Sequence, residues 1–267
     1  VQNQLWMSSD EGKNWEDITP KNQDAIKYGF ADIAISDADP QHIYVGVAGF
    51  QNDIKILYSA DGGKQWQDYH SAQLPKNEIQ TMALQRGSND GIYLGCEPGV
   101  FYCSRNMQSW MPVGKNLPYT PVNFIYLNYD KAKIRIGTYR GVWECDLYES
   151  FAPQAMIAMN KNILPSGESD VMKIFFYDYS TLKTKGAKWF WECPGSLQGT
   201  STEENPIMDY ETAKPGKYSV RLTVTDAQGK KSSYELKDFI EVKERNEPWN
   251  LRERKLEKEW EHEDGDE

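Results

Sequence analysis

The sequence predicts an all-β chain in two parts, a partial β-propeller of four-stranded blades followed by a β-sandwich. Three observations carry this. A short motif recurs at blade-sized spacing, strand-like runs alternate with Gly, Pro, Asn and Asp turns, and helical runs of Ala, Leu, Glu and Lys are scarce before residue 250. The 267 residues are 39% hydrophobic and 26% charged, enough apolar material for one or two ordinary cores. A formal net charge of −10 sets the chain against nucleic acid or an anionic membrane as its main partner. No apolar run is long enough for a membrane-spanning helix. Nothing near Val1 reads as a secretion signal, and the natural start is expected upstream.

The repeat comes first. Ser8-Ser9-Asp10-Glu11-Gly12-Lys13-Asn14-Trp15 returns as Ser59-Ala60-Asp61-Gly62-Gly63-Lys64-Gln65-Trp66, two copies of Ser-x-Asp-x-Gly-x-x-Trp. A decayed third copy runs from Cys103 to Trp110, so the Trp positions lie 51 and then 44 residues apart, a spacing that suits a four-stranded blade. Each copy sits in one frame. An apolar strand (31–36, 80–85, 122–128) precedes a second ending in small residues (42–48, 91–96, 133–138), and a third leads into the motif (56–59, 100–104, 141–147). Roughly thirteen strands, about three and a quarter blades, are expected over residues 1–150. Mechanically the motif staples a turn: Ser and Asp side chains bond turn amides, Gly supplies positive φ, and Trp15, Trp66 and Trp110 fill the gaps between blades.

These two full copies make the first half resemble the Asp-box (BNR) repeat family, which includes sialidases, family 74 xyloglucanases and sortilin-type receptors. The string Ile136-Gly137-Thr138-Tyr139-Arg140-Gly141-Val142-Trp143-Glu144 is similar to the last blade of secreted bacterial members. The resemblance implies the C-terminal blades of a larger propeller, one strand short in the last blade. It also implies Asp-box turns on the periphery, away from the ligand face.

After Leu147 the repeat stops, and strands are expected at 171–177, 188–192, 207–210, 217–225 and 233–242, enough for an immunoglobulin-like sandwich over 151–243. Trp189-Phe190-Trp191-Glu192-Cys193-Pro194-Gly195, Asn205-Pro206 and the run from Gly216 to Asp226 with Gly229 resemble the PKD domain. That family pattern implies a buried Trp189 and Trp191, with Phe190 outward. Residues 244–267 carry ten acidic and five basic side chains, a solvated tail or linker.

Candidate chemistry is sparse. Asp10 and Asp61 could suggest the paired carboxylates of a glycosidase, but each repeats in an identical turn, as a fold staple does. Arg86, Arg105, Arg135 and Arg140 do not assemble a carboxylate-binding cluster. His42 and His70 have no second His at ligand spacing, so neither metal nor cofactor is expected. Asp226-x-x-Gly229 reads as a hairpin rather than a calcium loop. Cys96, Cys103, Cys145 and Cys193 read as structural. A Pro98-Gly99 turn would set Cys96 opposite Phe101 and Cys103 opposite Leu94, against a disulfide between them.

Among the aromatics, Trp189, Trp191, Trp143, Tyr119, Tyr126 and Tyr139 are candidates for stacking against a sugar, most of them expected in the core. Tyr139 and Arg140, in a strand-to-strand loop, with Tyr119, are the expected binding residues. The two resemblances point to surface proteins of Bacteroidetes-type bacteria, often exported by the type IX route. The expected function is a non-catalytic extracellular or cell-surface binding or assembly module. Its propeller loops recognise a glycan or protein partner, and the sandwich acts as spacer. The alternative is the C-terminal part of a glycoside hydrolase, of the sialidase or family 74 type, with its carboxylates on further blades.

Overall fold

A computed structural model describes residues 4–21, 27–50, 53–165 and 172–244. The acidic tail beyond Glu244, with His262, and the expected strand start at Val171 lie outside the described residues. The chain forms two compact units, Val1–Ala152 with Leu182–Lys185, and Pro153–Thr181 with Gly186–Glu267.

Among the described residues the first unit holds the expected thirteen strands, in four antiparallel sheets of consecutive neighbours. β1 (Trp6–Met7) pairs with β2 (Glu16–Asp17). The second sheet is β3 (Phe30–Ile35), β4 (Ile43–Val47), β5 (Ile56–Ser59) and β6 (Gln67–Asp68). The third is β7 (Ile79–Gln85), β8 (Gly91–Cys96), β9 (Gly99–Cys103) and β10 (Met111–Val113). The last has three strands, β11 (Val122–Asn128), β12 (Lys133–Thr138) and β13 (Gly141–Asp146). Apolar side chains of alternate parity interleave between successive sheets. Tyr44, Ile56 and Tyr58 meet Ile79, Met82 and Leu94, and one blade on, Tyr93, Val100 and Tyr102 meet Val122, Ile125 and Ile136.

The small residues ending each second strand have a shared purpose. A Cβ on Gly46 would lie 3.2 Å from Ile79 Cγ2, and one on Gly95 would lie 2.8 Å from both Thr81 Cγ2 and Val122 Cγ1. Each glycine thus admits the first strand of the next blade. The Asp32 carboxylate, on β3, locks the same seam by accepting the Met82 amide of β7 at 2.7 Å. Gly137 is the equivalent residue of the last sheet. Its Cβ would meet Phe124 of its own sheet at 3.2 Å, with no further blade beyond among the described residues.

Two expectations fail here. The β8–β9 hairpin turns at Glu97-Pro98, one step earlier than expected, so Cys96 faces Gly99, Leu94 faces Phe101 and Ile92 faces Cys103. Gly99 has no positive φ and is an ordinary strand residue, which is why the turn does not centre on it. All four cysteines are free. Trp15 fills no inter-blade gap: it is 61% exposed, because β1 and β2 are the whole of their sheet among the described residues and no neighbour covers that side.

The second unit is a sandwich. A three-stranded sheet of β14 (Ile157–Met159), β16 (Lys173–Asp178) and β19 (Ile207–Asp209) opposes a five-stranded one. The latter runs β15 (Ile163–Pro165), β21 (Lys231–Lys243), β20 (Gly216–Thr225), β17 (Lys188–Glu192), β18 (Thr200–Ser201). The short β14, β15 and β18 were not expected from the sequence. Trp191 is fully buried against Phe176, and its Nε1 donates to the Glu203 carbonyl at 2.9 Å. Trp189 is half-buried on the same face, with Phe190 exposed. Asp226 closes the β20–β21 hairpin by accepting the amides of Gln228 and Lys230, and Gly229 supplies φ 85°.

The seam glycines give a direct test. Gly95→Ala should lower unfolding free energy by about 1–3 kcal/mol through overpacking between blades. Gly137→Ala, with one contact in its own sheet to relieve, should cost clearly less in the same urea titration.

Candidate functional site

Strand registers sort the loops of the first unit into two ends. Phe30 faces Val47, Ile79 faces Cys96, and Val122 faces Thr138. The segments entering β3, β7 and β11 therefore share one end with the β4–β5, β8–β9 and β12–β13 connections. The Asp32–Met82 bond and the Gly95–Val122 approach keep the sheets in step, so this end is common to the three blades.

The Asp-box turns lie at the other end. Gly12 N donates to Ser8 Oγ at 2.7 Å, Ser8 Oγ to Asp10 Oδ1 at 2.9 Å, and Asn14 N to the same oxygen at 2.8 Å. The second copy repeats each bond: Gly63 N to Ser59 Oγ at 2.8 Å, Ser59 Oγ to Asp61 Oδ1 at 2.8 Å, Gln65 N to Asp61 Oδ1 at 2.9 Å. Gly12 and Gly63 have φ of 86° and 89°. A Cβ on Gly63 would also strike Ile18, whose carbonyl accepts Trp66 Nε1 at 2.9 Å. Asp10 and Asp61 are thus spent on their own turns. Backbone N–H donors, from Asn14 and Gln65 first, hold both carboxyls below the ordinary carboxylate range. Trp110, of the decayed copy, is buried edge-on against Tyr69.

At that same end a polar network crosses the seam between the second and third sheets. Asp90 is buried, and its two oxygens accept Ser36 Oγ, His42 Nδ1 at 2.8 Å and Tyr44 OH at 3.3 Å. Arg105, where the decayed copy loses its Asp, reaches the same carboxylate at 3.7 Å, and Asp39 lies 3.7 Å from His42 Nε2. Arg105 Nη1 is also 3.3 Å from His42 Nδ1, but that nitrogen donates to Asp90, so the guanidinium pairs with the carboxylate and not the ring. Ser, His and Asp meet here without a nucleophile–base relation: Ser36 and His42 Nδ1 both address the carboxylate, and the hydroxyl does not face the imidazole. Sequence spacing shows none of this, since Asp90 lies 48 residues from His42. Among the described residues no three His, Cys, Asp or Glu side chains form a metal-binding group.

The opposite end carries a group of exposed aromatics. Tyr139 is 80% and Tyr119 66% exposed, with Tyr28 and Phe50 also outward. Sequence reasoning missed the last two, which lie in no motif. Tyr28 rests on Gly49, where a Cβ would come within 2.6 Å of the ring, so the glycine at φ 103° seats the aromatic. Tyr126 and Trp143, expected in the core with most of the candidates, are exposed too, because β13 and the outer face of the last sheet have no covering strand among the described residues. Trp143 lines a cavity of about 160 Å³ with Gly114–Leu117, Glu144 and Cys145. Burial pushes the Cys145 thiol up, away from a reactive thiolate. Three of the four arginines considered are paired: Arg86 with Asp37, Arg105 with Asp90, Arg135 with Glu144 at 2.8 Å. Arg140 is exposed and has no side-chain partner among the described residues.

The Sortilin-Vps10 family model (sortilin, neurotensin receptor 3) matches residues 3–131. No curated protein matches. Among solved structures, the PKD1 domain of Vibrio anguillarum Epp is similar at 23% identity and TM-score 0.26, over 35% of this chain and 99% of that one. The PKD1 domain of the Vibrio cholerae metalloprotease PrtV is similar at 26% identity and TM-score 0.25, over 35% and 100%. The extracellular domain of a putative one component system from B. thetaiotaomicron aligns with 91% of this chain at 11% identity and TM-score 0.38. There the chain spans 36% of the other's length. No helix among the described residues is long and apolar enough to cross a membrane.

Two predictions follow from the Asp-box end. Asp90→Ala leaves three buried donors without an acceptor and should cost about 3–5 kcal/mol, whereas Arg105→Ala, at an exposed partner, should cost under about 1 kcal/mol by the same denaturant titration. Folded Asp10 and Asp61 bind fewer protons than the unfolded chain. Their contribution is therefore complete above the ordinary value of 3.8 and is lost as pH falls through the lower folded value. The melting temperature of Asp61→Asn should accordingly fall less steeply than wild type between about pH 5 and pH 3.

Proposed function

We propose that the chain is a non-catalytic extracellular or cell-surface binding module. Its propeller recognises a glycan or protein partner through the loop end opposite the Asp-boxes, and the sandwich spaces that end from its attachment. The observation that carries this is the Tyr139-Arg140 turn, an exposed aromatic beside an unpaired guanidinium, at the same end as Tyr119. An exposed aromatic face offers apolar contact at low entropic cost, and a free guanidinium offers a bidentate donor for a carboxylate or carbonyl. Tyr28 and Phe50 extend the same end across the second blade. The Asp-box resemblance and the match to a receptor family are in keeping with recognition rather than turnover. The hydrolase reading has no such support, since Asp10 and Asp61 are engaged in their turns and Ser36, His42 and Asp90 form no catalytic relay. Membership of a larger assembly and export by the type IX route belong to this proposal as the setting that the two resemblances imply.

The test is the variant Tyr119→Ala/Tyr139→Ala/Arg140→Ala, probed on a glycan array and on intact bacterial cells. All three residues are surface groups outside the cores, so the melting temperature should hold while binding drops by about tenfold or more. Unchanged binding by the triple variant would sink the assignment of this end.

A further inference from the structure

The sandwich carries a feature that spacing does not require. Along β16, Ile174 and Phe176 are buried in the core, and the alternate positions Phe175 and Tyr177, with Tyr179 just past the strand's end, point outward, 39%, 41% and 63% exposed. Neighbouring strands extend the outward row: Ile207 faces Phe175, Ala158 faces Tyr177, and Met156 accepts the Tyr179 amide on its carbonyl. At the strand rise, the rings line up over about 13 Å. Two asparagines flank the strip. Asn160, just after β14, accepts the Phe175 amide at 3.0 Å, and Asn205, just before β19, accepts the Asp178 amide at 2.9 Å, each through Oδ1. Their amide NH₂ groups and the hydroxyls of Tyr177 and Tyr179 have no partner among the described residues.

We propose that this outer face is a second binding site, independent of the propeller end, that takes a neutral polysaccharide. Its sugar rings stack on Phe175, Tyr177 and Tyr179, and their hydroxyls bond to the flanking asparagines and tyrosine hydroxyls. Three points select that occupant. The strip is narrow: its three partly exposed rings with Ile207 and Met156 offer roughly 500 Å², against about 800 Å² per partner in a stable protein interface. The three rings carry no charge, Lys173 stands directly across from Asp209, and the chain's net charge of −10 disfavours polyanions. It also pairs flat apolar faces with donors on both sides. That is the complement of a pyranose, which presents C–H bonds on its face and hydroxyls at its edge.

The full chain is run by native affinity electrophoresis in gels carrying hydroxyethyl cellulose, xyloglucan, galactomannan or laminarin, with heparin as the polyanion. Retardation by at least one neutral polymer is expected. Phe175→Ala/Tyr177→Ala should weaken it by about tenfold, Tyr177→Phe, which keeps the ring and loses one hydroxyl, should weaken it only about two- to threefold, and the propeller variant Tyr119→Ala/Tyr139→Ala/Arg140→Ala should leave it unchanged. Should the double variant melt early, Tyr179→Ala, at the most exposed ring, must still weaken retardation several-fold. The proposal is overturned by no retardation in any neutral gel, by retardation with heparin alone, or by retardation that survives loss of the rings. It is equally overturned if the propeller variant abolishes retardation, or if sedimentation shows a dimer that the double variant disperses, which would make the occupant a second copy. Failure of the propeller end as a binding surface leaves these readings untouched.

Discussion

The propeller unit depends on how closely one blade can approach the next. In each second strand a residue without a side chain sits where the first strand of the following blade passes, at Gly46 against Ile79 and at Gly95 against Val122. Any Cβ there widens the seam, and the apolar layers on either side, Tyr44 with Met82 and Tyr93 with Ile125, lose the contacts that make interior packing favourable. In seams this tight, the carboxylates that cross from one blade to the next are matched by donors on the far side. Asp32 meets the Met82 amide, and Asp90 gathers Ser36, His42 and Tyr44. Blade alignment and loop alignment then have one cause, which is why Tyr28, Phe50, Tyr119 and Tyr139 share one end and the Asp-box staples lie at the other.

The same logic explains why residues that look chemically potent are engaged within the fold. Asp10 and Asp61 are saturated by their own turn, and a carboxylate already accepting several donors is a poor base. Asp90 is saturated from across the seam. Burial pushes the Cys96 thiol up to about 11 and the Cys193 thiol up to about 12, so both behave as small apolar side chains. Among the described residues, the solvent-facing groups that stand out by clustering are Arg140 with the tyrosines at its end, and the ring strip along β16.

Much of this was legible in the sequence, and the parts that were not have physical reasons. Strand positions followed from local pattern, because turn residues and alternation are local properties: 91–96 and 133–138 were expected, and β8 and β12 hold those bounds. The Asp-box bonds were legible for the same reason, being closed within eight residues. The β8–β9 register was missed because glycine marks a turn only where positive φ is needed, and Gly99 does not need it. Exposure was the least legible. Trp66 and Trp15 occupy identical motifs, yet one donates to Ile18 and the other faces solvent, since burial depends on whether a neighbouring blade is there. The Asp90 network joins residues far apart in sequence, and no spacing rule reaches across two blades.

The two units also differ in how they leave aromatic side chains exposed, and the difference bears on what each can bind. At the propeller end the rings sit on connections between strands, where the backbone of a turn such as Thr138–Gly141 sets their direction and a neighbouring charge is free to act. Such a surface is uneven and carries a cation, suited to a partner with relief and at least one acceptor. On the sandwich Phe175 and Tyr177 stand on a strand paired on both sides, with the buried Phe176 and Ile174 fixing the pleat beneath them, and Tyr179 follows just past its end with its amide held by the Met156 carbonyl. Their spacing is therefore set by strand geometry rather than by loop conformation, and the flat, uncharged row cannot reshape itself around an irregular ligand. A repeating polymer with a regular apolar face is the ligand that such rigidity favours, because each added ring meets another of the same kind without further ordering of the protein.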